Sequence, residues 1–166
     1  MADSARFSQS HGIMPLVVST SGGWNVGFTA DSFDMSKYNH ATIIIIGDSA
    51  VAGDGVLTIY GGATDAATTA AITFTYRYSG GICGAASSDV LGTVATSAAL
   101  TTTGASITSA MLICELDAQD LNVSGTTYRY VTPVVSAAGT AGYVTMVAIL
   151  SEPRYEQAIM PTANPA

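Results

Sequence analysis

The stretch Ala71-Ile72-Thr73-Phe74-Thr75-Tyr76-Arg77-Tyr78 decides the fold class. Ile72, Phe74, Tyr76 and Tyr78 alternate with Thr73, Thr75, Arg77 and Ser79. Successive side chains of a strand point to opposite faces, so this alternation predicts one aromatic and one polar face. A helical stripe repeats every three to four residues and does not produce a period of two.

The same reading extends outward in both directions. Runs rich in β-branched and aromatic residues, bounded by Gly, Asp, Asn and Ser, predict strands at 15–20, 24–29, 41–47, 56–60, 71–78, 110–116, 127–135 and 143–150. A weaker one is expected around 90–95. Residues 43–46 are four isoleucines, and 144–150 is almost wholly apolar. Strands apolar on both faces are either central or covered from outside by a partner. Asp54-Gly55 predicts a tight hairpin turn ahead of Val56. Ser79-Gly80-Gly81, Ser124-Gly125 and Gly139-Thr140-Ala141-Gly142 punctuate other strand ends. Leu116-Asp117-Ala118-Gln119-Asp120-Leu121 predicts one short helical turn with an Asp at its cap. The low-complexity stretches 61–71 and 84–110 read as extended loops and edge strands. The expected fold is all-β, an antiparallel β-sandwich or jelly roll. Residues 1–13 form an N-terminal arm, 14–150 a single β-sandwich domain, and 151–166 a C-terminal tail. Pro153, Pro161 and Pro165 make that tail a poor continuation of a sheet.

Composition narrows the function. The 166 residues include 5 basic and 12 acidic, a net charge of −7, and only 10% are charged against 48% apolar. Ordinary soluble domains carry about 25% charged residues. Arg6, Lys37, Arg77, Arg129 and Arg154 are scattered along the chain, so no basic stripe recommends nucleic acid or an anionic membrane surface. No apolar run approaches the roughly 20 residues of a membrane span. The first residues lack the apolar core of a signal peptide, which predicts synthesis in a cytoplasm. Two cysteines do not make a disulfide scaffold. Cys114 reads as a small buried side chain, and a bridge to Cys83 stays open.

Catalytic motifs are thin. The block Gly47-Asp48-Ser49 after a strand resembles the nucleophile block of SGNH esterases. That chemistry needs a base beside the hydroxyl, and the histidines, His11 and His40, both precede it. His and Cys lack the close pairing of zinc sites. Asp48, Asp54, Asp65, Asp117 and Asp120 form no compact calcium loop and read as turn and cap residues. Glu115 is the one carboxylate expected to face inward. Trp24 either anchors an interface, stacks on a sugar, or opens a strand near the sandwich rim. No catalytic residue, metal or cofactor is expected.

Three segments carry a resemblance. Tyr38-Asn39-His40-Ala41-Thr42, the acidic turn Cys114-Glu115-Leu116-Asp117-Ala118-Gln119-Asp120-Leu121, and Val147-Ala148-Ile149-Leu150-Ser151-Glu152-Pro153-Arg154-Tyr155 are similar to parts of small virion structural proteins of tailed bacteriophages. Several of those are capsid decoration, or cement, proteins. The resemblance implies a β-rich fold and a homotrimer on the exterior of the capsid, partnered by the major capsid protein, with no catalytic role. Negative net charge suits a site outside the packaged DNA. Residues 1–20 and 151–166 are expected to reach neighbours, with Arg6, Phe7, Met14, Trp24, Arg154, Tyr155 and Met160 as interface candidates. The competing readings are another virion component, in the head–tail region or tail, and a carbohydrate- or receptor-binding β-sandwich module.

Overall fold

The four isoleucines sit inside a ten-residue strand of a computed structural model, which describes residues 7–18, 23–82, 84–86, 90–136 and 139–154. A short helix α1 (Phe7–Ser10) precedes β1 (Gly12–Val17), β2 (Phe28–Thr29), β3 (Phe33–Asp34), β4 (Tyr38–Gly47), β5 (Ala52–Gly62), β6 (Ala70–Ala71), β7 (Phe74–Tyr78), β8 (Ala95–Ser97) and β9 (Leu100–Thr103). Then come α2 (Gly104–Ile107), β10 (Met111–Asp117), β11 (Asn122–Val123), β12 (Thr126–Thr127), β13 (Tyr130–Ser136), β14 (Gly139–Ala141) and β15 (Val144–Pro153).

One sheet has the order β1-β15-β4-β10-β7-β8. The other has the order β14-β5-β13-β2, with β3 beside β13 and β6 and β9 beside β5. The pairings are antiparallel throughout. The chain is therefore all-β and built as two facing antiparallel sheets. Ile43, Ile45, Leu112, Cys114, Met146 and Ala148 of the first sheet join Leu57, Ile59, Val131 and Val135 of the second in one continuous buried cluster. Alternation explains the burial. In β4 the residues Ala41, Ile43 and Ile45 point inward, and their register partners on β10 and β15 are also core residues.

Several expectations are met closely. Phe74 is buried, and Tyr76 and Tyr78 pack against the core, while Arg77 lies on the opposite face. Ala118–Leu121 is a 3-10 turn, and the Asp120 carboxylate accepts the Asp117 N–H at 2.8 Å. Ser124 and Gly125 both have positive φ, 53° and 82°, and close the β11–β12 hairpin.

Others are corrected. Asp54-Gly55 is no hairpin turn, because β5 runs through it from Ala52. Gly55 is there for space: a Cβ on it would stand 2.6 Å from the Trp24 indole. Trp24 lies in a turn, not a strand, and is 2% exposed, with its Nε1 donating to the Gly53 carbonyl at 3.2 Å. The strand expected at 24–29 shrinks to Phe28–Thr29 because that segment turns around the indole. Residues 61–71 and 84–110 do hold short edge strands, but α2 plugs Ile107 fully into the core. The first strand starts at Gly12, inside the expected arm, and the last runs to Pro153, inside the expected tail. Pro153 is tolerated because it ends the strand.

Candidate functional site

Residues 38–42, 114–121 and 147–154 meet in space. β4 is flanked by β15 and β10, with Tyr38 opposite Pro153, His40 opposite Ser151 and Asp117, and Ala41 opposite Leu150 and Leu116. The start of β4, the end of β10 and the end of β15 thus form one end of the six-stranded sheet.

On the outer face of this end, His40 Nδ1 lies 2.7 Å from Asp117 Oδ1. Its Nε2 lies 3.3 Å from Thr42 Oγ1 and 3.9 Å from Glu115 Oε1. A cavity of about 200 Å³ opens beside them, lined also by Thr75 and Asp120. Hydroxyl, imidazole and carboxylate stand here in the order of a nucleophilic triad. Two physical facts oppose that use. Thr42 sits in mid-strand, paired with β10 on one side and β15 on the other, so its backbone is committed to ladders and offers no oxyanion donors. The Glu115 carboxylate stands close to the imidazole, where developing negative charge would be repelled. Glu115 faces outward with Ile113, not inward as expected, because the core positions of β10 are Leu112, Cys114 and Leu116. Among the described residues no group of three or more His, Cys, Asp and Glu could hold a metal ion.

The same end gathers the cations that sequence scatters. The Arg154 N–H donates to the Lys37 carbonyl at 2.8 Å, and its Nε donates to Asn39 Oδ1 at 2.9 Å. Arg154 and Arg129 line a cavity of about 240 Å³ whose other walls include Met35, Leu121 and Tyr128. Arg129 grips Asp34 through Nε, at 3.0 Å, and Nη2, and its guanidinium lies 5.1 Å from the Tyr130 ring centre. Burial alone would raise the Asp34 carboxyl. The hydrogen bonds from Arg129 and Ser36 outweigh it and hold the pKa below the usual aspartate value.

Gly47-Asp48-Ser49 has a structural task. The Asp48 carboxylate accepts the N–H groups of Ala50 at 2.8 Å and Tyr143 at 3.2 Å, and its carbonyl accepts the Ser109 N–H at 3.0 Å. It ties three chain segments together at the far end of β4. Ser49 is exposed there, while His11 bonds to Ser10 and Phe7, and His40 to Asp117 and Thr42.

The interface candidates separate. Met14 and Trp24 are 3% and 2% exposed, so both side chains are spent inside the chain's own core. Phe7 is 53% exposed and stacks on His11 with ring centres 4.1 Å apart. Arg154 is exposed at the gathered end. Gly12 pairs with Leu150, so the segments carrying Phe7 and Arg154 both flank that pairing. Arg6, Tyr155, Met160 and Cys83 lie outside the described residues. Cys114 is free and buried, and burial first, then the neighbouring Glu115 charge, pushes its thiol far above the ordinary range. Sequence reasoning missed the His40–Asp117 pair and the cation cluster. Register makes the first, through β4 and β10, and the fold brings Arg129 beside Arg154, so neither leaves a local signal in the sequence.

No protein-family model, curated protein or solved structure matches the chain.

Proposed function

We propose that the chain is a non-enzymatic decoration protein of a tailed-phage head. On this reading it binds the outer surface of the capsid as a homotrimer and stabilises the lattice of the major capsid protein. The observation that carries the reading is the convergence of the three resembling segments on the neighbouring strands β15, β4 and β10. Segments far apart in sequence are similar to virion proteins and form one surface, as a shared contact site requires. That end offers exposed Lys37, Asn39 and Arg154, and Arg154 lines a cavity with Met35, Leu121 and Tyr128, a mixture suited to a polar protein interface. The burial of Trp24 weakens the carbohydrate-binding alternative, since it removes the chain's one tryptophan from the available stacking platforms.

The test is the amount and position of the chain in purified particles. Hundreds of copies on the outside of the shell are expected, with occupancy lowered by Arg154→Glu. Six or twelve copies would instead assign a connector, and none at all would sink the virion reading. Hydrolysis of an activated ester, abolished by Thr42→Val, would overturn the non-enzymatic part.

A further inference from the structure

We infer that the outer face of the six-stranded sheet is where one copy of the chain binds another. The inference rests on the reading above for its biological setting and names the surface by which the assembly unit forms. Ile13, Ile44, Ile46, Ile113, Val147 and Ile149 all lie on this face. The register makes them one patch: Ile44 stands between Val147 and Ile113, and Ile13 stands opposite Ile149. The outer face of the other sheet is more mixed, with Val56, Thr58, Tyr60, Tyr130, Val134 and Ser136 in its central rows. A sheet apolar on both sides is a sheet built to lie between two layers. The chain supplies the inner layer.

Charge, a mixed-sign border and an adjoining cavity point to a second copy as the other layer. With strands about 4.8 Å apart and outward residues about 6.6 Å apart, these six positions cover roughly 200 Å². That is about a quarter of the roughly 800 Å² each partner buries in a standard interface, the size of an apolar centre that its border must complete. The polar border, with Thr42, Thr145, Arg77 and Glu115, supplies a rim. A chain of net charge −7 repels its own copies, so self-association requires a face from which charge is kept away. The patch itself carries none, and its border holds both signs, Arg77 on β7 and Glu115 with Asp117 on β10. Where the patch ends at Ile46 and Met111, a cavity of about 470 Å³ opens, walled also by Ala110, Ser79 and Ser109. It can seat an apolar side chain of the neighbour, the arrangement typical of interface anchors.

The test is sedimentation of the full chain beside Ile46→Lys and Thr145→Lys, each checked for native circular dichroism. Thr145 faces Ile46, and its position already accepts a polar side chain, so this variant keeps the test open if Ile46→Lys fails to fold. The native chain should form an oligomer at micromolar concentration, and each lysine should weaken association about 100-fold. A native chain that stays monomeric up to about 100 μM, the weak range of specific association, overturns the inference. So does a folded lysine variant that associates like the native chain. Oligomers in solution with no copies in particles would leave this face standing and remove the decoration reading. Particles decorated by isolated, well-separated copies would do the reverse.

Discussion

Ile45 and Ile46 are neighbours in sequence and identical in chemistry, yet one is 2% exposed and the other 50%. The first faces Met146 and Leu112 in the core, and the second faces Thr145 and Met111 on the outside. A strand's period of two assigns them opposite duties, so hydrophobicity alone does not say which isoleucine holds the fold together. The inner row is spent on folding. The outer row is left for contact, and substitutions can separate the two.

The largest contrast should come from truncating both residues. Ile45→Ala removes methyl groups from a packed interior and should cost about 2–5 kcal/mol of unfolding free energy. Ile46→Ala should cost less than about 1 kcal/mol in the monomer, because solvent already reaches the side chain. Urea unfolding at low protein concentration reads both without the concentration-dependent gain from association. Similar losses for the two variants would mean that the outer row is already covered within the chain.

The inner side has a second sensitive point at Gly55. Adding a methyl group there drives it into the Trp24 ring at 2.6 Å, an overpacking that should cost about 1–3 kcal/mol. Trp24→Phe combined with Gly55→Ala should recover part of that loss, because a smaller ring makes room. If Gly55→Ala unfolds at the native urea midpoint, the indole is not held against β5.

These residues also show where sequence reading succeeds and stops. Alternation at 72–78 and the isoleucine run at 43–46 are local signals, and they gave the all-β class and the apolar outer face. Asp54-Gly55 was locally a good turn, but a tryptophan about thirty positions earlier, bonded to the Gly53 carbonyl, dictates the glycine instead. The cause is non-local and leaves no mark on the dipeptide. His40 and Asp117 are 77 positions apart and meet only through the β4–β10 register. Lys37 and Arg154 read as scattered for the same kind of reason, since they meet only where β15 pairs with β4. Strand existence follows from nearby residues, whereas sites follow from register, which one sequence does not specify.

Cys114 sharpens the contrast by chemistry. It points inward next to the outward Glu115, and burial suppresses its thiolate. In a Cys83→Ser background near pH 8, close to the ordinary thiol pKa of about 8.5, a thiol reagent should label Cys114 only as fast as the chain unfolds. Labelling at the rate of a free thiol would place this row of β10 in contact with solvent and remove the distinction between faces.

The smallest effect belongs to neither face but to the ion pair Asp34–Arg129. Hydrogen bonds lower the Asp34 pKa in the folded chain despite partial burial, relative to about 3.8 for an ordinary aspartate. A carboxyl depressed on folding contributes stability above its unfolded pKa and loses it as pH falls through the lower folded value. Asp34→Asn should therefore be slightly less stable than the native chain at neutral pH, and the gap should close below about pH 4. Solvent around the half-exposed guanidinium keeps the neutral-pH difference small. A gap that persists unchanged into acid would assign the loss to packing around Asp34. The pair would then behave like the inner row, held by fit rather than by charge.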